Sequence, residues 1–131
     1  MIFVDTGAWY ASIVVDDQHH LSARRWLDTN AQPLLTSDYI VDEALTLLQM
    51  RGHGPAAMEL GRMLFAGELA ELVLITEEDL REAWRTFGQF ADKQWSFTDC
   101  TSRAVMRRLN LTHDFTFDHH FRQFGTVQVV P

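Results

Sequence analysis

The sequence predicts an α/β fold: a central parallel sheet of five strands with helices on both faces. Three observations point to it. Short apolar runs alternate with segments of helical periodicity along the whole chain. The runs read as continuous rather than alternating, the pattern of strands buried on both faces. The chain has 131 residues, 47% of them apolar and 22% charged, enough to bury a core without disulfide or metal staples.

Ile2 to Val4 is the first strand, closed by Asp5, and Gly7 to Val15 is helical. Leu21, Ala23, Trp26 and Leu27 give His19 to Asn30 a helical face, which Asn30 and Pro33 end. Leu34-Leu35 is a second strand. From Asp38 to Met50, Ile40, Val41, Ala44, Leu45, Leu47 and Leu48 form a broad apolar stripe. Gly52 and Gly54-Pro55 interrupt the chain before a helix from Ala56 to Phe65, with Gly67 just past its end. Leu72 to Ile75 is a third strand. Thr76, followed by Glu77, Glu78 and Asp79, caps a helix running to about Phe90. Ser96 to Asn110 holds another helix. Phe115 to Phe117 is the fourth strand, followed by a short helix, and Val127 to Val130 is the fifth. No repeat or linker divides the chain, so one domain over 1–131 is expected.

Composition narrows the function. Eleven Lys and Arg stand against 18 Asp and Glu, a net charge of −7. A chain this acidic does not hold nucleic acid by bulk attraction, so any such role needs a local basic patch, a metal, or both. The one cysteine, Cys100, forms no intrachain disulfide and no multi-cysteine zinc site. With no signal-peptide pattern and no long apolar run, a cytoplasmic address is the simplest expectation.

Four acids sit where a parallel sheet would bring them to one rim. Asp5 and Asp118 close the first and fourth strands, Glu43 lies in the helix after Leu35, and Asp99 opens the helix after Thr98. Ligands of such sheets bind at the carboxyl ends of the strands. Crowded carboxylates repel one another unless a cation turns repulsion into coordination, and all-oxygen ligands favour Mg²⁺ or Mn²⁺ over zinc. Each acid also has a plainer reading. Asp5 and Asp118 suit helix caps, and Ser96-x-x-Asp99 fits a capping box. Asp42 and Glu43 suit a solvated face, although Glu43 lies at the edge of the apolar stripe.

The segments IFVDTGAWYAS, VDEALTLL, WSFTDCTS and HDFTFDHHF, in this order, resemble the PIN-domain ribonucleases, closest to toxins of the VapC type. The resemblance runs from Met1 to about Val130. It implies a three-layer sandwich around a parallel sheet, and it places the acidic site on Asp5, Glu43, Asp99 and Asp118. Asp5, Asp99 and Asp118 are the expected metal ligands. Glu43 is a ligand, direct or through water, or the general base. Thr6 and Thr98 match supporting polar positions, and Gly7 stands where many relatives carry serine. The implied activity is Mg²⁺- or Mn²⁺-dependent cleavage of single-stranded or looped RNA, leaving a 5′-phosphate and a 3′-hydroxyl. The implied partners are a cognate antitoxin, a second copy in a homodimer, and RNA, with no membrane and no DNA bound alone. The competing reading is a PIN scaffold that binds RNA or protein without cutting.

Other signals are weighed against these. Asp5-Thr6-Gly7 also spells the aspartic-protease triplet, but those enzymes are nearly all β. Asp118-His119-His120 matches the DHH phosphoesterases, which need a longer chain. Arg24, Arg25, Arg103, Arg107, Arg108 and Arg122 suggest a phosphate-guiding strip or a solvated face. His120 suits the rim, and the other histidines suit surface or capping positions. Trp9, Trp26, Trp84 and Trp95 read as core, with Trp9 and Tyr10 candidates for base stacking because they follow Asp5.

Overall fold

A computed structural model describes residues 1–125 and 127–131, and the side chains of His119, His120 and Arg122 lie outside the described set. The expected roles for His120 and Arg122 therefore fall outside it. Five strands form one parallel sheet in the order β3-β2-β1-β4-β5: β1 (Ile2–Val4), β2 (Leu34–Ser37), β3 (Glu71–Val73), β4 (His113–Phe115) and β5 (Gln128–Val130). Phe3 registers with Leu35 on one side and Asp114 on the other. The helices are α1 (Thr6–Ile13), α2 (His20–Thr29), α3 (Asp38–Met50), α4 (Gly54–Phe65), α5 (Glu77–Gln89) and α6 (Phe97–Arg108). Short 3₁₀ turns occupy Ala91–Lys93 and His119–Phe124.

The chain winds outward from β1 through β2 to β3, then crosses back to β4 and β5 on the other side. The order reverses between β1 and β4, and a crevice opens there at the strands' carboxyl ends. β1 is fully buried, as its Ile-Phe-Val composition requires. Helices α1 to α4 pack among themselves, α5 pairs with α6, and α3 meets α6 across the top of the crevice region. The main apolar cluster includes Phe3, Leu35, Ile40, Leu48, Leu60, Leu64 and Phe115. A second one, of Ala83, Trp95, Cys100, Phe121 and Phe124, lies under α5 and α6.

Local chemistry sets the helix ends. Ser37 caps α3 by accepting the Ile40 N–H at 3.2 Å. Thr76 and Ser96 open α5 and α6 with complete capping boxes, closed by Asp79 and Asp99. Gly67 ends α4 at φ +73°, with Glu68 N–H on Met63 O at 3.0 Å and Gly67 N–H on Leu64 O at 3.2 Å. This doubled closure needs the left-handed backbone that glycine adopts without steric cost.

Three expectations change. The fourth strand is His113–Phe115, earlier than the apolar run suggested, so Thr116 to Asp118 form the exit loop. β4 therefore carries an aspartate, Asp114, buried in its centre. Trp84 is 68% exposed and lies against Phe87 rather than in the core. Trp9 and Tyr10 are buried, and the Trp9 indole N–H donates to Thr36 Oγ1 at 3.2 Å, so neither offers a stacking face.

Asp79 ties α5 to α6. Its two oxygens accept from Arg108 Nε at 3.0 Å and Nη2 at 2.9 Å, the bidentate arrangement. Burial alone would raise this carboxyl, but the Arg108 guanidinium and the Thr76 N–H hold it below its ordinary value of 3.8. Arg108→Leu strands a buried carboxylate and is expected to destabilise the protein by about 2 kcal/mol near neutral pH, less than for a fully buried pair because Arg108 is partly exposed. A depressed carboxyl stabilises above its unfolded pKa and loses that effect as pH falls through its folded value. The gap between wild type and variant in urea melts should therefore narrow as pH drops below about 4.

Candidate functional site

The crevice between β1 and β4 holds the four predicted acids. Asp5, Glu43, Asp99 and Asp118 line one open cleft of ≈ 470 Å³, together with Thr6, Gly7, His19, Leu47, Ser96 and Phe117. Four stretches of chain, far apart in sequence, deliver them. Asp5 follows β1, Glu43 projects from α3, Asp99 sits in the first turn of α6, and Asp118 ends the loop after β4. Glu43 is half-buried at the inner edge of α3 while Asp42 beside it is exposed, as the helical wheel predicts.

Asp5 is the deepest of the four, 6% exposed. It stands at the cap position of α1, yet its side chain makes no capping bond to that helix. Its Oδ2 instead accepts the Thr116 hydroxyl at 2.9 Å. The same Thr116 oxygen accepts the Asp118 N–H at 3.0 Å. One buried threonine thus locks the exit of β4 to the exit of β1. Burial raises the Asp5 carboxyl to about 7, helped by the charges of Asp99 and Glu43 and opposed by the Thr116 hydrogen bond.

Asp99 closes a capping box, as one of its readings expected, and it also lies on the cleft. Its Oδ2 accepts the Ser96 N–H at 3.0 Å. Burial raises its carboxyl, the Ser96 hydrogen bonds oppose the rise, and the charges of Asp118 and Glu43 add to it. Thr6 is buried at the cleft, and its hydroxyl has no hydrogen-bond partner among the described residues. Thr98 lies one step outside the lining, and its carbonyl accepts the Thr101 hydroxyl at 2.7 Å. A Cβ on Gly7 would meet nothing within 4 Å, so a serine would fit there.

Three contributors had no signal read from the sequence. Thr116 looked like strand interior. Asp114 lay upstream of the expected strand. It is buried, neither carboxyl oxygen has a partner among the described residues, and burial pushes it well above the carboxylate range, reinforced by Asp5, Asp99 and Asp118. His19 resembled a surface residue, yet it lines the cleft. Among the described residues the arginines form no single strip. Arg108 is held by Asp79, Arg103 donates to Thr86, and Arg24 and Arg25 lie on α2 by other grooves.

The donor set fits a hard divalent ion: carboxylate oxygens only, crowded enough that burial and mutual repulsion raise Asp5 and Asp99. Among the described residues no group of three or more acidic, histidine or cysteine side chains is placed to hold a metal ion as the side chains stand. The cleft is open, which suits an ion that keeps part of its water shell.

The PIN domain family matches residues 2–127. The chain is 33% identical to the 23S rRNA-specific endonuclease VapC20 of Mycobacterium tuberculosis, over 100% of itself and 99% of that protein. The crystal structure of Mycobacterium tuberculosis VapC20, a sarcin-ricin loop cleaving toxin, superposes with a TM-score of 0.92 at 30% identity, covering 100% of both chains. The crystal structure of FitAcB from Neisseria gonorrhoeae superposes with a TM-score of 0.74 at 17% identity, covering 100% of this chain and 97% of that one, a likeness of fold alone. With the family matched over nearly every residue and the fold shared from end to end, the chain belongs to the PIN-domain family.

Proposed function

We propose that this chain is a single-domain, divalent-metal-dependent endoribonuclease toxin that cuts a structured loop of ribosomal RNA and is restrained by a cognate antitoxin. The observation that carries the proposal is the convergence of Asp5, Glu43, Asp99 and Asp118 on one cleft at the sheet's switch point. Full-length identity to a 23S rRNA-specific endonuclease supports the substrate class.

Asp5, Asp99 and Asp118 would hold Mg²⁺ or Mn²⁺. When bound, such an ion neutralises charge at the scissile phosphate and acidifies a water for attack. Glu43, at the rim, orients that water or accepts its proton. Thr116 keeps Asp5 and Asp118 in register, and Thr6 presents its free hydroxyl to the same space. The Thr98 carbonyl, in the same first turn of α6 as Asp99, accepts the Thr101 hydroxyl at 2.7 Å. An acidic rim also attracts a guanidinium, so an antitoxin arginine reaching the carboxylates would block the cleft. The partners proposed are that antitoxin, the RNA and a second copy of the chain. No helix among the described residues is long and apolar enough to cross a membrane, in keeping with action in the cytoplasm.

Two outcomes test this reading. With Mn²⁺ present, wild-type protein is expected to cleave 23S rRNA or a hairpin of its loop. Asp5→Asn should lose at least about 100-fold in rate with an unchanged circular dichroism spectrum, and the exposed Asp42→Asn should stay within about twofold. No cleavage by wild type in Mn²⁺ returns the chain to the scaffold reading, and undiminished cleavage by Asp5→Asn takes the chemistry away from this cleft.

The second outcome is a pH dependence. The folded Asp5 carboxyl lies near 7 against an ordinary value of 3.8. A raised pKa stabilises fully below the unfolded value and loses that effect as pH rises through the folded one. In chelator, melting temperature should therefore fall between about pH 5 and pH 8. Mn²⁺ should restore it at the upper end by binding only the folded cleft. Asp5→Asn should lessen the fall, the remainder coming from Asp99 and Asp114, and should weaken the metal response.

A further inference from the structure

One wall of the cleft is aromatic, and metal chemistry does not account for it. The His19 ring lies parallel to the Phe117 ring, 4.4 Å between centroids and 3° between planes. Both residues are half-buried and both line the cleft with the four acids. Phe117 immediately precedes Asp118, so the stack stands next to a carboxylate.

The stack is held from beneath and from the side. Phe117 meets Phe115 edge-on at 5.8 Å, and Phe115 packs on Trp26 at 4.2 Å, carrying the aromatic column into the core. The His19 N–H donates to Asp17 Oδ2 at 2.9 Å, and its carbonyl accepts the Ala23 N–H at 2.9 Å, fixing it at the cap position of α2. Next to it His20 Nδ1 meets Ala11 O at 2.7 Å, pinning the helix start to α1. Phe117 covers one face of the imidazole. No Arg or Lys lines the cleft among the described residues, so that wall offers π surface rather than positive charge.

We propose that the parallel His19–Phe117 pair in the acid cleft is a base-stacking subsite, on which an unpaired nucleobase next to the scissile phosphate stacks against the His19 ring. The proposal rests on the ribonuclease reading and adds to it the way a loop is held. Stacking on aromatic rings accepts any base, because every base has a π face, and it selects unpaired nucleotides over paired ones. An acidic cleft that repels a free backbone gains most from such an uncharged contact. His19 and Phe117 are positioning residues here, since the carboxylates carry the chemistry.

The test uses the full chain and a hairpin RNA with 2-aminopurine placed in turn at each loop position, bound in Ca²⁺ so that the strand stays uncut. In wild type, one position is expected to lose fluorescence on binding. His19→Ala should abolish that quench and weaken binding about tenfold, His19→Phe should restore both, and His19→Gln should behave like His19→Ala. Single-turnover cleavage at sub-saturating RNA should fall with the loss of affinity in His19→Ala and recover in His19→Phe, while the exposed Asp42→Asn, outside the cleft, should match wild type in quench and affinity. Phe117→Leu should reduce the quench in the same direction. Unaltered quench and affinity in His19→Ala overturn the proposal. So does rescue by His19→Gln without rescue by His19→Phe, which marks a hydrogen-bond donor. So does loss in His19→Ala of affinity for an arginine-containing antitoxin peptide with RNA binding intact. If wild type cuts no RNA in Mn²⁺, the ribonuclease reading itself has failed, and the quench then reports on RNA binding alone.

Discussion

Like charge is the constraint around which this molecule is organised. Asp5, Asp99 and Asp114 are each pushed toward the protonated form by burial and by neighbouring acids. No fold gathers such groups for stability, because each desolvated carboxylate costs free energy. The sheet tolerates the crowd because its framework is secured elsewhere. β1 is wholly apolar, Thr36 links β2 to the Val4 carbonyl at 3.1 Å, and the Asp79–Arg108 pair joins α5 to α6. The energetic debt is concentrated at the switch point between β1 and β4, where a cation would relieve it.

Much of this was legible in the residues. The β1-to-Asp5 junction reads directly from Ile-Phe-Val-Asp, and the capping signals at Thr76 and Ser96 place α5 and α6 within a residue or two. Glu43 was separable from Asp42 by helical phase alone. The misreadings share a cause. Strand β4 is His-Asp-Phe, so hydropathy shifted it toward Phe115–Phe117 and hid Asp114. A threonine beside a strand looks like ordinary β-former until the partner strand's exit is known, which kept Thr116 from view. His19 belongs to the cleft only through the return of the chain after β4, a long-range fact with no local trace. Trp84 reads as core by composition, yet it faces outward from α5 because burial there belongs to Ala83 and Thr86.

Charge also explains what the arginines do not do. Three of them, Arg103, Arg107 and Arg108, gather on α6 with Glu78, Asp79 and Glu82 around a pocket of ≈ 310 Å³. Their charges are largely answered by those acids, so the pocket is close to neutral. Ten arginines in a chain of net charge −7 therefore create no continuous positive track toward the cleft among the described residues. Strand recognition has to come from the cleft's own walls, from a bound cation, or from surfaces supplied by another chain.

Asp99 shows how economical the rim is. The oxygen that accepts the Ser96 amide begins helix α6, and the residue carrying it also faces the crevice. Helix initiation and the charge of the rim are thereby written into one side chain. Drift at this position is constrained twice over: a replacement without a hydrogen-bond acceptor frays the first turn that positions it, and one that keeps the acceptor but loses the charge leaves a well-formed helix over an altered electrostatic field.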